Sequence, residues 1–188
     1  DFEFPTGRDF STRTMSLSAD GLIVDWPSYE AYPWPDVEAA DYAIFDALAA
    51  VLPDGMKLIA YGPGGVLENV TEIVGFEKLC LLLADEPDLV ECIFEAVGET
   101  LVRYYEIAAQ HPAVGACIDN DDWGFKTQTM LSPRQMRQYV FPWHKRIVGD
   151  ETTVEAIALT DGHDALSCAV IYRRDGAAEW TEVPMAFL

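Results

Sequence analysis

Ala113-Val114-Gly115-Ala116-Cys117-Ile118 runs directly into Asp119-Asn120-Asp121-Asp122-Trp123-Gly124. A short, nearly all-apolar run suits a strand covered on both faces, the kind found in parallel sheets. The polar stretch after it then lies at the C-terminal end of a strand, where β/α folds carry their functional loops. Asp119, Asp121 and Asp122 crowd together there. Like charges so close raise at least one pKa, which serves acid–base chemistry or holds a cationic group. The competing reading is that Asp121 or Asp122 caps a turn while the others face water.

Working upstream, Pro87 to about Gln110 carries Leu89, Val90, Ile93, Phe94, Val97, Leu101, Tyr104, Tyr105 and Ala108 as one broad helical stripe. Pro87 and the acids Glu86 and Asp88 suit its N-terminal end. Phe76 to Leu83 reads as a compact apolar helix. Met56 to Tyr61 is a second candidate buried strand, entered through a Pro53-Asp54-Gly55 turn. It ends in a loop, Tyr61 to Asn69, where Gly62, Gly64 and Gly65 permit close approach and Glu68 and Asn69 supply polar groups. This glycine run lacks the Gly-Lys-Ser/Thr ending of a phosphate loop. Further back, Asp36 is expected to cap a helix bearing Tyr42, Phe45, Leu48 and Ala49. Pro27 to Asp36 reads as a loop, and Thr14 to Trp26 as a hairpin about Asp20-Gly21.

Downstream, Ser132, Pro133 and Gln135 form a capping box for a helix reaching Val148, with a bend expected at Pro142. After Gly149 the language is strands only: Leu166 to Tyr172, an Asp175-Gly176 turn, then Trp180 to Val183. The expected organisation is therefore residues 1–148 as alternating strands and helices, class α/β, and 149–188 as a short all-β hairpin segment.

The chain has 188 residues, half of them hydrophobic, and a formal charge of −20. Such a field repels phosphates, so no nucleic-acid or anionic-membrane partner is expected. No stretch approaches the roughly 20 apolar residues of a membrane span. No signal peptide opens the chain, which begins at Asp1, as if its upstream end were missing or trimmed. Cys80, Cys92, Cys117 and Cys168 are scattered, so buried reduced thiols and a cytoplasmic location are expected. His111 sits at a helix end, His144 beside Trp143 on a helix where packing is its default role, and His163 in a turn. They form no metal-ligand spacing, so no metal is expected.

Leu67-Glu68-Asn69-Val70, Val74 to Leu79, Asp85-Glu86-Pro87-Asp88-Leu89-Val90, Asp121-Asp122-Trp123-Gly124, Leu131-Ser132-Pro133 and Tyr139 to Pro142 follow one another as landmarks. As an ordered series over about Trp26 to Val148, they resemble the uroporphyrinogen decarboxylase superfamily. That family also holds cobalamin- and coenzyme M-dependent methyltransferase relatives. The resemblance implies that residues 1–148 are a partial TIM-type (β/α) barrel, and a decarboxylase that needs no cofactor, with pocket acids holding the pyrrole nitrogens of a porphyrinogen-type substrate. It makes Asp121 the candidate catalytic residue. It also makes Tyr61, Gly62, Gly64, Glu68, Asn69, Asp119, Asp122, Trp123 and Lys126 candidate substrate contacts. The arginine-rich substrate loop, the principal catalytic aspartate and the strand carrying the methyltransferases' zinc-binding His-x-Cys are not recognisable. A fragment inactive alone is therefore expected, prone to self-association through open barrel edges.

Thr160 to Leu166, Tyr172-Arg173 and Trp180 to Met185 resemble the start of the N-terminal β-sandwich of α-1,4-glucan:maltose-1-phosphate maltosyltransferase. That resemblance implies a supporting domain with no glycosyl-transfer residues, joined to the barrel piece at Val148–Gly149. A non-enzymatic remnant or an α-glucan-related accessory module is the alternative to decarboxylase-like or methyltransferase-like chemistry.

Overall fold

The structure is a computed structural model. It describes residue 4 and residues 21–125, 127–148, 169–172, 179 and 181–184. The chain divides into two compact units, Asp1–Gly149 and Asp150–Leu188. Among the described residues, no helix is long and apolar enough to cross a membrane.

The first unit opens with α1 (Trp26–Ala31), where a loop is expected. Asp25 and Ser28 explain it: the Asp25 carboxylate accepts from Ser28 N at 2.9 Å, and Ser28 Oγ accepts from Asp25 N at 3.0 Å. Pro27 falls in the first turn, where its missing N–H has no partner to lose. The described part of the expected hairpin before it is not a strand; Leu22 N and Ile23 N both donate to Ile73 O. Asp36 accepts from Glu38 N and Ala39 N and so closes a turn, while Asp41 Oδ1 accepts from Ala43 N at the start of α2 (Ala43–Ala49).

Strand β1 (Leu58–Tyr61) then leads through α3 (Val66–Val74), α4 (Phe76–Asp85) and α5 (Pro87–Gln110) to β2 (Val114–Ile118). The two strands pair in parallel, with Ile59 opposite Ala116 and Tyr61 opposite Ile118. A parallel pair needs such a crossover, here three helices long. Neither strand is covered on both faces as its composition predicts. Ile59 and Tyr61 are 61% and 59% exposed, Ala60 is the one buried residue of β1, and β2 has none. The described residues form a mixed α/β unit with a two-stranded parallel sheet and no closed barrel.

The core lies among the helices. Val66, Leu67, Val70 and Ile73 of α3 meet Leu89, Ile93, Phe94, Val97 and Leu101 of α5, all at most 1% exposed. Each such side chain contributes about 2 kcal/mol of burial. After a short β3–β4 ribbon (Gly124–Phe125 and Gln128–Thr129), α6 (Pro133–Gln135) starts on the expected Ser132–Gln135 box. It continues as a π turn (Met136–Val140) into α7 (Phe141–Val148). This π turn stands immediately before Pro142, the position at which a bend is expected.

In the second unit, β5 (Ala169–Tyr172) pairs antiparallel with β6 (Thr181–Pro184), with Val170 opposite Val183. The intervening Asp175-Gly176 turn, and Leu166 to Cys168 and Trp180 of the expected strands, lie outside the described residues.

Candidate functional site

Both strands of a parallel pair end on the same side, so the Gly62–Gly65 loop and the Asp119–Trp123 loop are neighbours. Two tyrosines of α5 fix those ends: Tyr104 Oη donates to Tyr61 O at 2.9 Å and Tyr105 Oη donates to Ile118 O at 2.7 Å. Burial pushes both phenols above their ordinary range. Glycine at 62 is required here, since a Cβ there would stand 2.3 Å from Tyr105 Oη.

Helix α3 starts immediately after the glycine loop, so Glu68 and Asn69 are helical rather than loop residues. Sequence reading misses this helix because its N-terminal cap comes from far along the chain. Asp121 accepts from Leu67 N at 3.0 Å and from Glu68 N at 2.9 Å, neutralising two of the helix's orphan donors. Glu68 Oε2 accepts from Gly65 N at 3.2 Å. Burial pushes the Glu68 carboxyl up, a shift that the Gly65 N–H opposes and the Asp121 charge assists. Asn69 Nδ2 donates to Gly65 O at 2.7 Å and to Pro63 O at 3.3 Å, bracing the loop.

Asp121 has two further donors, Trp123 Nε1 at 3.0 Å and His144 Nε2 at 2.8 Å, and its side chain is 1% exposed. The other ring nitrogen of His144, Nδ1, lies 2.7 Å from Asp119 Oδ2. That contact is an ion pair without hydrogen-bond alignment, and Asp119 Oδ1 has no donor among the described residues. The ring thus stands between two carboxylates, which favour its protonated, imidazolium form. Burial alone would lower its pKa; the two carboxylates outweigh it and raise the value to about 9. The sequence gives no sign of this cluster, because His144 is remote from the acids in the chain and its neighbours suit ordinary helix packing.

An open cleft of about 1220 Å³ lies against β1, between α2 and α3. Of the expected substrate contacts, Tyr61, Gly62, Gly64, Glu68 and Asn69 line it. Asp41, Tyr42, Glu72, Tyr104 and Asn120 join them unexpected from sequence, and no Lys, Arg or His appears among the described lining residues. Asp119 lines a separate cavity of about 650 Å³ with residues of α5 and α7. Asp122 Oδ1 accepts from Gly124 N at 3.1 Å, closing a turn. Trp123 packs its ring 5.1 Å from both Phe141 and His144. Lys126 lies outside the described residues.

Among the described residues no group of three His, Cys, Asp or Glu side chains is placed to hold a metal ion. Cys80 and Cys117 are exposed free thiols and Cys92 is half-buried, so the expectation of burial fails for the first two. Cys168 lies outside the described residues.

Comparison with known proteins bears on the C-terminal part. The family model described as alpha-1,4-glucan:maltose-1-phosphate maltosyltransferase, domain N/S, matches residues 138–188. The maltosyltransferase of that name from Chlorobaculum tepidum is 48% identical over 44 residues, 23% of this chain and 7% of the relative. One from Cereibacter sphaeroides is likewise 48% identical over 44 residues, with the same shares. The chain thus spans 7% of the length of these curated relatives. No solved structure matches the chain. What the comparisons establish is a likeness of residues 138–188 to domain N/S of the maltosyltransferases.

Proposed function

We propose that residues 138–188 serve as an α-glucan-related accessory module of the maltosyltransferase N/S kind, without catalysis of its own. The match over those residues carries this reading, and the antiparallel β5–β6 pair inside it agrees with a strand-built module. The test is titration of the whole chain with maltoheptaose, followed by calorimetry and by co-sedimentation on glycogen. Saturable binding is expected. A chain that leaves both glucans untouched removes the reading.

The cleft favours a second activity in the same chain, small-molecule binding on a partial β/α barrel of the uroporphyrinogen decarboxylase-like or methyltransferase-like kind. The observation behind it is the convergence of Tyr61, Gly62, Gly64, Glu68 and Asn69 on one cleft at the end of β1. A cleft lined by Asp41, Glu68 and Glu72, with no Lys, Arg or His among its described lining residues, makes a polycarboxylate porphyrinogen a poor occupant on charge grounds. In this reading Asp121 works by holding α3 and the two loops in place, since its carboxylate already has four donors. Tyr61→Ala, at an exposed side chain, is the probe. It is expected to leave stability within about 0.5 kcal/mol. In a screen of small amines and pyrroles by ligand-observed NMR, it should abolish whatever the parent chain binds. Equal binding by both chains places the ligand elsewhere.

A further inference from the structure

We propose that the proton on His144 is a switch holding the Asp119–Asp122 loop, and with it Asn120, at the wall of the cleft. The geometry assigns it. His144 projects from α7 between two carboxylates of one loop, at 2.7 and 2.8 Å. Asn120 stands between those two acids and lines the cleft.

The two acids are not held equally. Asp121 keeps Leu67 N, Glu68 N and Trp123 Nε1 whatever His144 does. The Asp119 side chain is 4% exposed, has no aligned hydrogen bond, and has the His144 imidazolium as its ion-pair partner among the described residues. Loss of one proton from the ring leaves a neutral imidazole with a single N–H for two carboxylates. Asp121 is the better-aligned acceptor, so Asp119 is left as an uncompensated buried charge. The other groups around it compensate little: Glu68 of α3, Glu106 of α5 and Asp121 are acidic, Arg146 of α7 lines the same cavity but is paired with Glu99, and Tyr105 of α5 spends its proton on Ile118 O. Helix α7 itself stays in place, because Trp143 packs on Gly98 and Arg146 pairs with Glu99 at 2.6 and 3.0 Å. The element that yields is therefore the loop.

The inference does not rest on either proposed activity, and its test needs no ligand. NMR of the whole chain would follow the His144 ring and backbone amide exchange between pH 7 and 10, with exchange corrected for its intrinsic pH dependence. Protection of Asp119 and Asn120 should fall in one step with the ring's midpoint, near pH 9. Leu101 in α5 and residues 145–148 in α7 should show no step. Asp119→Asn should move the ring midpoint down by at least one pH unit. His144→Gln should leave the loop weakly protected at all pH values. The proposal is overturned if loop, α5 and α7 amides lose protection together, or if the loop shows no step. An unshifted ring midpoint in Asp119→Asn overturns it as well. Should His144→Gln fail to fold, the wild-type titration and Asp119→Asn decide.

Discussion

At the residue scale, Asp121 joins α3, Trp123 and α7 through one carboxylate. Asp121→Asn replaces an acceptor pair by one acceptor and one donor, and leaves the His144 charge half-paired. Breaking a buried ion pair from one side costs about 3–5 kcal/mol, and an isosteric amide recovers part of that. A loss of about 2–4 kcal/mol is therefore expected in urea denaturation. Unchanged stability together with weakened ligand binding would return Asp121 to a direct role in the cleft. The His144 proton has its own signature. Its folded pKa is raised, so its contribution to stability is full below the ordinary value of 6.5 and is lost as pH rises through about 9. Melting temperatures should therefore decline across that window, and the decline should be absent in His144→Gln. Sequence alone placed the acids at the right end of the right strand. It had no means of pairing them with a histidine that tertiary folding delivers.

At the scale of elements, legibility followed the strength of the local signal. Helix α5 is readable to its ends because Pro87 marks one end and the apolar stripe runs unbroken to Ala108. Helix α3 is not, because a glycine loop precedes it and its cap is Asp121. The strands were readable as strands but not as exposed ones, since apolar composition carries no information about whether a second layer exists. Gly98, inside α5, shows packing overriding propensity. Alanine there should gain up to about 1 kcal/mol of helix propensity. Yet its Cβ would stand 2.1 Å from the Trp143 ring on α7. Gly98→Ala is therefore expected to lower the melting temperature. Gly98→Ala combined with Trp143→Ala should restore the propensity gain relative to Trp143→Ala alone. Additive effects in that double-mutant cycle would contradict the contact.

At the scale of the whole molecule, a net charge of −20 implies self-repulsion in the compact state. Added sodium chloride should raise the melting temperature through screening, and a flat response in calorimetry would deny the repulsion any weight. The edges of β1 and β2, unpaired among the described residues, and the exposed Ile59 and Tyr61 favour association, which that same charge opposes. Sedimentation velocity is expected to show larger species as salt rises. The matched domain begins at residue 138, before the unit boundary at Gly149. A chain cut after Val148 keeps every described contact of the first unit and should melt with it. One cut after Arg137 loses Trp143 and His144 and should melt lower.

Gly65 and Asp121 touch so closely that a Cβ on the glycine would fall 2.1 Å from the Cβ of the aspartate. In descent, that contact constrains a codon far from the aspartate's own. The clash is with a Cβ that every residue except glycine carries and, at 2.5 Å, with the Asn120 carbonyl, so a lineage that gives up the aspartate still needs glycine at 65. Replacements at 121 should therefore leave 65 unchanged.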